Sequence, residues 1–416
     1  MKPLRLLSAL ALAWPVVAAA DSDEWFDRLG DSLSWATADT QVRAKLSGTL
    51  DLEGYLFEQP APALVYSEDD SLLVPRLQLF LDAQAGSRVY VFAQFRADRG
   101  FDPGDEEWHA RFDEYAVRVA AASNGALNLQ AGKFATVVGN WVPRHHLWQN
   151  PFVNAPLPYE NLTGMFDAVP ALTTVALLRW ANLVPGSVAP HEYLAGLRLP
   201  VIWGPSYASG ASVSGTLGKF DYALEIKNAS LSSRPENWNL DSHGWEYPTF
   251  SGRVGWRPNV AWNLGLSGSS GTYLAPLAEA MLPPAYSLND YQQVTWGADL
   301  SYAWHHLQVW AELFAVRFEN PRLGPADTFA WYVEARYKFT PQLIGALRLN
   351  QQTYGDIPDG AGGSTTWGRD TWRLDVAPSY RFTAHLMLKL QYSLQHRPID
   401  GREYTHVFSG QLLLRF

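Results

Sequence analysis

Apolar and polar residues alternate along most of the chain, and the alternation is clearest near the C-terminal end. Between residues 372 and 382, apolar or aromatic side chains occupy every second position. Because successive side chains of a strand point to opposite faces, this pattern predicts a strand with one apolar and one polar face. Residues 386–395 repeat the pattern after a short connection at Thr383 and Ala384. The two runs therefore predict a tight hairpin.

The same alternation recurs back to residue 42, and it predicts about sixteen strands, with eighteen possible. The predicted strands cover residues 42–56, 77–83, 89–98, 115–120, 127–134, 206–217, 220–228, 250–256, 262–268, 295–302, 307–316, 329–339, 343–352, 372–382, 386–395 and 403–416. Tight connections near Gly86, Asn124, Gly218, Pro258, His305, Pro341 and Ala384 alternate with long ones rich in Pro, Gly and Asp. Short periplasmic turns alternating with long external loops are typical of outer-membrane barrels.

Composition favours the same fold. The chain has 19 Tyr, 18 Trp and 19 Phe, and only 18% of its residues are charged. After residue 20, no apolar run reaches the ~20 residues that a membrane-spanning helix needs. A soluble β-sandwich or propeller would also alternate, but it would not place so many aromatic residues at strand ends. We therefore expect an all-β protein, a transmembrane antiparallel β-barrel.

The two ends of the chain predict export and assembly. Lys2 and Arg5 precede the apolar run 6–17 and three alanines, so residues 1–20 are expected to be a secretory signal peptide. Residues 21–41 carry apolar side chains at helical spacing and predict a short amphipathic periplasmic segment before the barrel of residues 42–416. The last strand ends in Phe416, which resembles the signal that the barrel assembly machinery recognises. The expected location is the bacterial outer membrane.

Charge and cysteine content exclude several kinds of protein. A formal net charge of −9 does not suit a nucleic-acid binder, and the absence of cysteine excludes disulfides and thiol chemistry. His145-His146 and His305-His306 are the only paired histidines. No acid residues accompany them at catalytic or metal-ligand spacing. We therefore expect no enzymatic activity, no metal and no cofactor.

The sixteen strands, the Gly132-Lys133-Phe134 end of the fifth strand and the hairpin of residues 380–385 resemble the phosphate-selective porin O/P-like superfamily. The resemblance implies a homotrimeric porin in outer-membrane lipid, with a water-filled channel for passive diffusion of small hydrophilic solutes or ions. Two alternatives remain open. One is a substrate-selective channel for sugars or acidic oligomers, and the other is a structural sheath around a partner such as a cytochrome.

Inward-facing charges follow from the alternation. The expected lumen lining comprises Arg96, Arg118, Arg253, Arg336, Lys338, Arg348, Arg373, Lys389, Asp299 and Glu334, joined by Asp82, Asp98, Glu225, Glu312 and Asp375. The signs are nearly balanced, whereas the phosphate-specific relatives rely on strongly basic rings, so phosphate specificity is in doubt. Lumen positions are expected to be wet, and charge reversal there is expected to leave folding largely intact.

The long third external loop, residues 135–205, is the candidate constriction. The resemblance implies that this loop folds into the lumen, although an external cap with aromatic packing remains the alternative. The residues expected to narrow the pore are Trp141, Arg144, His145, His146, Trp148, Tyr159 and Glu160. If the two histidines face the lumen, anion preference should rise as the pH falls through about 6.5.

Overall fold

A computed structural model describes residues 21–59, 64–65, 67, 69–99, 107–181, 198–240, 243–399 and 402–416. The predicted signal peptide, residues 1–20, and the part of the third loop from 182 to 197 lie outside the described residues.

Sixteen antiparallel strands of the described chain close into one barrel, which confirms the predicted fold class. Each strand pairs with its neighbour along the chain, β19 pairs with β2, and the ring is continuous through β9 and β10. The short β1 adds to one edge, and β15 pairs with β16 outside the barrel. The strands are β1 Ser34–Ala36, β2 Val42–Phe57, β3 Ser71–Ala85, β4 Val89–Asp98, β5 His109–Ala120, β6 Asn128–Lys133, β7 Ser209–Leu217, β8 Phe220–Lys227, β9 Thr249–Trp256, β10 Trp262–Thr272, β11 Gln292–Trp304, β12 Leu307–Phe318, β13 Ala326–Lys338, β14 Leu343–Tyr354, β15 Asp356–Pro358, β16 Ser364–Thr366, β17 Thr371–Arg381, β18 Leu386–Ile399 and β19 Arg402–Arg415.

The alternation of the sequence separates an apolar outer face from a polar inner one. In β14, Leu347 and Leu349 are 52% and 42% exposed, whereas Arg348 between them is fully buried. Exposed aromatic residues such as Trp296 and Phe339 add to the outer face. Because the outer side chains can meet lipid and every central strand satisfies its backbone groups through its neighbours, the barrel is suited to span a membrane.

Short turns lie at the periplasmic end of the barrel and longer connections at the external end. Gly218 joins β7 to β8 with φ +62°, and His305 joins β11 to β12 with φ +49°. Tight two-residue hairpins need such left-handed positions, because they match the twist of the flanking strands.

The described residues also form three α-helices that are not part of the barrel wall: α1 Asp21–Ser32, α2 Leu157–Glu160 and α3 Thr174–Ala181. Helix α1 packs at the periplasmic end, where the ring of Phe26 stacks on His385 with centroids 5.3 Å apart. The Asp27 carboxylate lies 3.2 Å from Nε2 of the same histidine. In the described part of the chain, no helix is both long and apolar enough to cross a membrane.

Candidate functional site: the barrel lumen

The described parts of the third loop, residues 135–181 and 198–205, lie against the inward faces of strands from β8 to β18. Thr136 Oγ1 donates to Glu225 Oε1 of β8 at 2.7 Å. Asn161 Nδ2 donates to Gln352 Oε1 of β14 at 2.9 Å. The backbone N–H of Val153 donates to Gln391 Oε1 of β18 at 2.7 Å. The loop is therefore held from within by more than half of the barrel wall.

An apolar cluster explains why the loop packs inside. The ring centroids of Trp141 and Tyr159 are 4.5 Å apart, and Tyr159 meets the edge of Phe314 at 5.9 Å. Phe314 and Phe318 face inward from the external half of β12, and both are fully buried. Burial of each such side chain contributes roughly 1.5–3 kcal/mol. Apolar residues on the polar face of a strand thus mark where the loop covers the wall.

Glu312 of β12 is the main polar anchor of the loop. Its carboxylate accepts the hydroxyl of Tyr159 at 2.7 Å and the backbone N–H of Trp141 at 2.9 Å. The backbone N–H of Asn140 donates to the same carboxylate. The alternation placed Glu312 on the inner face, but it gave no sign that the loop backbone would converge on this carboxylate.

Buried ion pairs hold the loop to β13, β14 and β17. Arg144 of the loop pairs with Glu334, and Glu160 of the loop pairs with Arg373. Arg348 Nε donates to Asp375 Oδ2 at 2.8 Å. These side chains are less than a tenth exposed, apart from Arg144, which is slightly more so.

The expectation that the lumen positions are wet is therefore wrong for this wall. Arg348 is 0% exposed and Arg373 is 1% exposed, because the loop fills the space that water would occupy in an open barrel. Arg348 also reaches the loop directly, since its Nη2 donates to Asn154 Oδ1 at 2.6 Å. Reversing a charge here would leave its buried ion-pair partners without a counter-charge, and folding would not stay intact.

Other predicted lining residues are bonded to the barrel wall or to the loop. Arg253 pairs with Asp299 at 2.7 Å, and Nζ of Lys389 donates to the carbonyl of Asn150 at 2.7 Å. Arg336 donates to the carbonyl of Gln149 at 3.3 Å. Backbone carbonyl groups of the loop thus accept hydrogen bonds from inward-facing donors on β13 and β18.

Four predicted lining residues remain at least partly open, and one of them, Asp82, is exposed. Arg96 is half-buried and pairs with Asp98 at 2.6 Å. Arg118 is exposed near the periplasmic end of β5, and its Nε donates to Gln130 at 2.8 Å. Lys338 lies exposed at the periplasmic end of β13, at the rim of the barrel and not deep in the lumen.

The histidine pair is buried under the loop. Nδ1 of His145 faces the carbonyl oxygen of Val142, and Nε2 faces the hydroxyl of Tyr207. Nδ1 therefore donates to the carbonyl, and Nε2 is placed to accept from the hydroxyl, which suits a neutral imidazole. Burial lowers the pKa of His145 well below its ordinary value, and neighbouring His146 lowers it further. Burial also lowers the pKa of His146. The expected charge change near pH 6.5 is thus displaced to more acidic pH.

Trp148 shows how far the loop descends. The guanidinium of Arg415 lies 3.9 Å from the centroid of its indole ring. Arg415 precedes the last residue of the chain, at the periplasmic end of β19. The loop therefore extends from the external end of the barrel almost to its periplasmic end.

A cavity of about 680 Å³ remains between the loop and the periplasmic halves of β2 to β5. We call this cavity the vestibule. Its lining includes Phe80, Asp82, Phe92, Gln94, His146 and Trp148. The alternation predicts that Asp82 lies on the inner face, but it does not single out Phe80, Phe92 or Gln94. The signal was present as a break in the alternation, because Leu79, Phe80 and Leu81 are all apolar.

No group of three or more His, Cys, Asp or Glu side chains within the described ranges is placed to hold a metal ion.

No family model matches the chain, and no curated protein matches it either. Solved structures do. Salmonella typhi OmpF in complex with daunomycin aligns over 92% of this chain and 100% of its own, with 10% identity and a TM-score of 0.55. An anion-selective porin from Comamonas acidovorans aligns over 90% of this chain and 100% of its own, with 11% identity and a TM-score of 0.53. The trimer form of Vibrio cholerae OmpT aligns over 90% and 99%, with 9% identity and a TM-score of 0.52. The chain thus has the fold of outer-membrane porins, and this fold places it in the bacterial outer membrane.

Proposed function

We propose that the chain forms a narrow outer-membrane channel for passive diffusion of small hydrophilic solutes or ions, restricted by the third loop. The observation that carries the proposal is the position of the loop, whose backbone and side chains bond to inward residues from β8 to β18. Such a loop leaves little room beside it, so the passage would admit only small solutes. The proposed role is transport and not catalysis.

The proposed route runs along β2 to β5, opposite the walls that the loop covers. There the side chains of Arg76, Arg96 and Arg111 are 11%, 13% and 20% exposed. They alternate with Asp98 and Asp113, which pair with them. By contrast, Arg348 and Arg373 on the covered wall are 0% and 1% exposed. A lining of both signs would give only a mild ion preference.

The constriction residues divide into two roles in this proposal. Trp141, Tyr159, Arg144 and Glu160 fasten the loop to the wall through Glu312, Glu334 and Arg373. The roles of solute contact would fall to His146 and Trp148, which line the vestibule below the loop.

Assembly partners belong to the proposal as well. The backbone N–H of Phe416 donates to Gly48 O at 3.0 Å, and Gly48 N–H donates back at 3.1 Å. The terminal residue therefore continues the seam between β19 and β2 that closes the barrel. This position supports a role for Phe416 in recognition by the assembly machinery. A homotrimer is proposed because one structure of the same fold is a trimer form.

A second candidate is a structural sheath without conduction. The burial of the inward polar residues from β11 to β18 favours it, because a plugged barrel needs no wet lumen. Recording the purified full chain in planar lipid bilayers distinguishes the two. A small ohmic conductance with a shallow reversal potential in a KCl gradient supports the channel. A correctly folded barrel that stays electrically silent contradicts it and supports the sheath.

A further inference from the structure

Strand register arranges the inward side chains of the vestibule in rows across β2 to β5. One row runs through Ser47, Phe80, Gln94 and Glu114. The next row towards the periplasm runs through Lys45, Asp82, Phe92 and Ala116. Each row therefore sets one phenylalanine ring among polar groups in the lining of the vestibule.

The two phenylalanines are unusual in their surroundings. The inner face of a membrane barrel is normally polar, and lipid cannot reach it. Phe80 and Phe92 are nevertheless only half-buried. The edge of His146 meets Phe80 with centroids 5.5 Å apart, and Tyr90 stacks on Phe92 at 5.7 Å. An apolar ligand surface laid on these rings would remove them from water.

Gln94 supplies an independent sign of a ligand. Its side chain is 2% exposed, and neither its amide oxygen nor its amide nitrogen has a hydrogen-bond partner among the described residues. Buried polar groups are nearly always paired, so two unpaired atoms on one side chain call for a partner. The amide both donates and accepts, which suits ligand hydroxyl groups because they also do both.

The charges of the vestibule favour an uncharged ligand. Lys45 and Asp82 are directly opposite each other across β2 and β3, so their charges offset. The carboxylate of Glu114 accepts the backbone N–H of Ala135 at 2.7 Å. Asp82 accepts the hydroxyl of Tyr90 through Oδ1, which leaves Oδ2 for a further donor. With Arg415 also in the lining, two positive side chains balance the two carboxylates, so the vestibule offers acceptors and rings without a net side-chain charge to attract an ion.

We propose that the vestibule binds a neutral sugar ring. An apolar face of the ring would stack on Phe80 and Phe92, and its hydroxyl groups would bond to Gln94 and Asp82. Combined apolar and hydroxyl surfaces distinguish a sugar from an inorganic ion, which has no use for the aromatic rings. The inference deepens the proposed channel by naming a solute class, and it rests on that function for delivery of the sugar from outside.

The test is saturation-transfer NMR with D-glucose on the purified full chain, in a micelle of a detergent that carries no sugar. The expected result is a transfer signal that is strongest on the hydrogens of one ring face. Gln94→Leu removes the amide while keeping its size, and the dissociation constant for glucose should rise about tenfold through lost hydrogen bonds. Phe80→Leu should weaken binding as well, through lost stacking.

Gln395→Leu is the matched control. Gln395 is also an inward glutamine, 3% exposed, with an unpaired amide oxygen, but it does not line the vestibule. Its substitution should leave glucose binding unchanged. Heat-dependent electrophoretic mobility reports whether each variant is folded. If Gln94→Leu does not fold, the effect of Phe80→Leu on glucose binding tests the inference.

Three results would overturn the inference: no glucose signal, a signal from benzoate in its place, or glucose binding that neither substitution weakens. Conductance measured in KCl without sugar separates this outcome from that of the proposed function. A conducting chain that does not bind glucose refutes only the vestibule site. A chain that binds glucose but carries no current refutes only the channel.

Discussion

Inward-facing charged side chains are buried on one wall of the barrel and exposed on another. On the wall formed by β13, β14 and β17, Glu334, Arg348 and Asp375 are fully buried and ion-paired. On the vestibule wall, formed by the periplasmic halves of β2 to β5, Lys45 and Asp82 are exposed. Both walls have the same alternation and the same inward geometry. The difference is that the third loop packs directly on the first wall, whereas a cavity lies between the loop and the second wall.

In this barrel, a side chain that faces inward does not necessarily face water. Where the loop lies, a polar lumen becomes a protein interior, and its charges must be paired. Where the cavity separates the loop from the wall, charged side chains such as Lys45 and Asp82 remain exposed. Substitutions on the two walls should therefore have very different consequences.

The largest expected effect is on the covered wall. Arg348→Glu removes the partner of Asp375 and adds a carboxylate beside Glu334, so it should lower the free energy of unfolding by about 3–5 kcal/mol. Arg118→Glu, at an exposed inward position, should change it by less than about 1 kcal/mol. Urea unfolding in lipid vesicles measures both. Equal losses for the two variants would contradict the division into a covered and an open wall.

A smaller effect is expected at the lipid-facing surface. Leu390 is 46% exposed on the outer face of β18, near its middle. Leu390→Arg should cost about 2–4 kcal/mol, because a charge near the bilayer midplane is poorly solvated. Phe339→Arg, beyond the periplasmic end of β13, should cost about 0–1 kcal/mol. The same unfolding assay applies, and a cost independent of depth would show that this face does not contact lipid.

The smallest predicted effect is a pH dependence at the loop. The pKa of His145 in the folded chain lies below the ordinary value of 6.5. Between these two pKa values, His145 is therefore protonated in the unfolded chain and neutral in the folded chain. The free energy of unfolding should therefore fall as the pH is lowered from about 6.5 towards the folded pKa. His145→Gln should reduce this slope between pH 7 and pH 5, measured as the difference from the wild-type curve.

The pH dependence of ion selectivity also tests whether the histidine pair is buried. With a buried neutral pair, the anion to cation permeability ratio should stay flat through about pH 6.5, the ordinary histidine pKa. A ratio that rises steeply there, and that His145→Gln abolishes, would show that the pair faces the pore.

The sequence predicted the strands and their faces because both depend on a two-residue period. The run from 372 to 382 corresponds to β17, Thr371–Arg381, and Arg373 faces inward as its position in the run requires. The partners of the inward residues were not predictable. Arg348 meets Asn154, and Glu312 meets Tyr159, through a loop whose path has no period. The burial of those charges depends on that path.

The central claim is that the third loop occupies the lumen, and single-channel conductance tests it most directly. Residues 139–160 would be replaced by a short Gly-Ser linker, and the control would shorten residues 359–363, an exposed segment between β15 and β16 that lies outside the lumen. If the loop occupies the lumen, the first change should raise conductance well above that of the intact channel, while the control should leave it unchanged. Equal conductance for the intact chain and the shortened third loop would contradict the account.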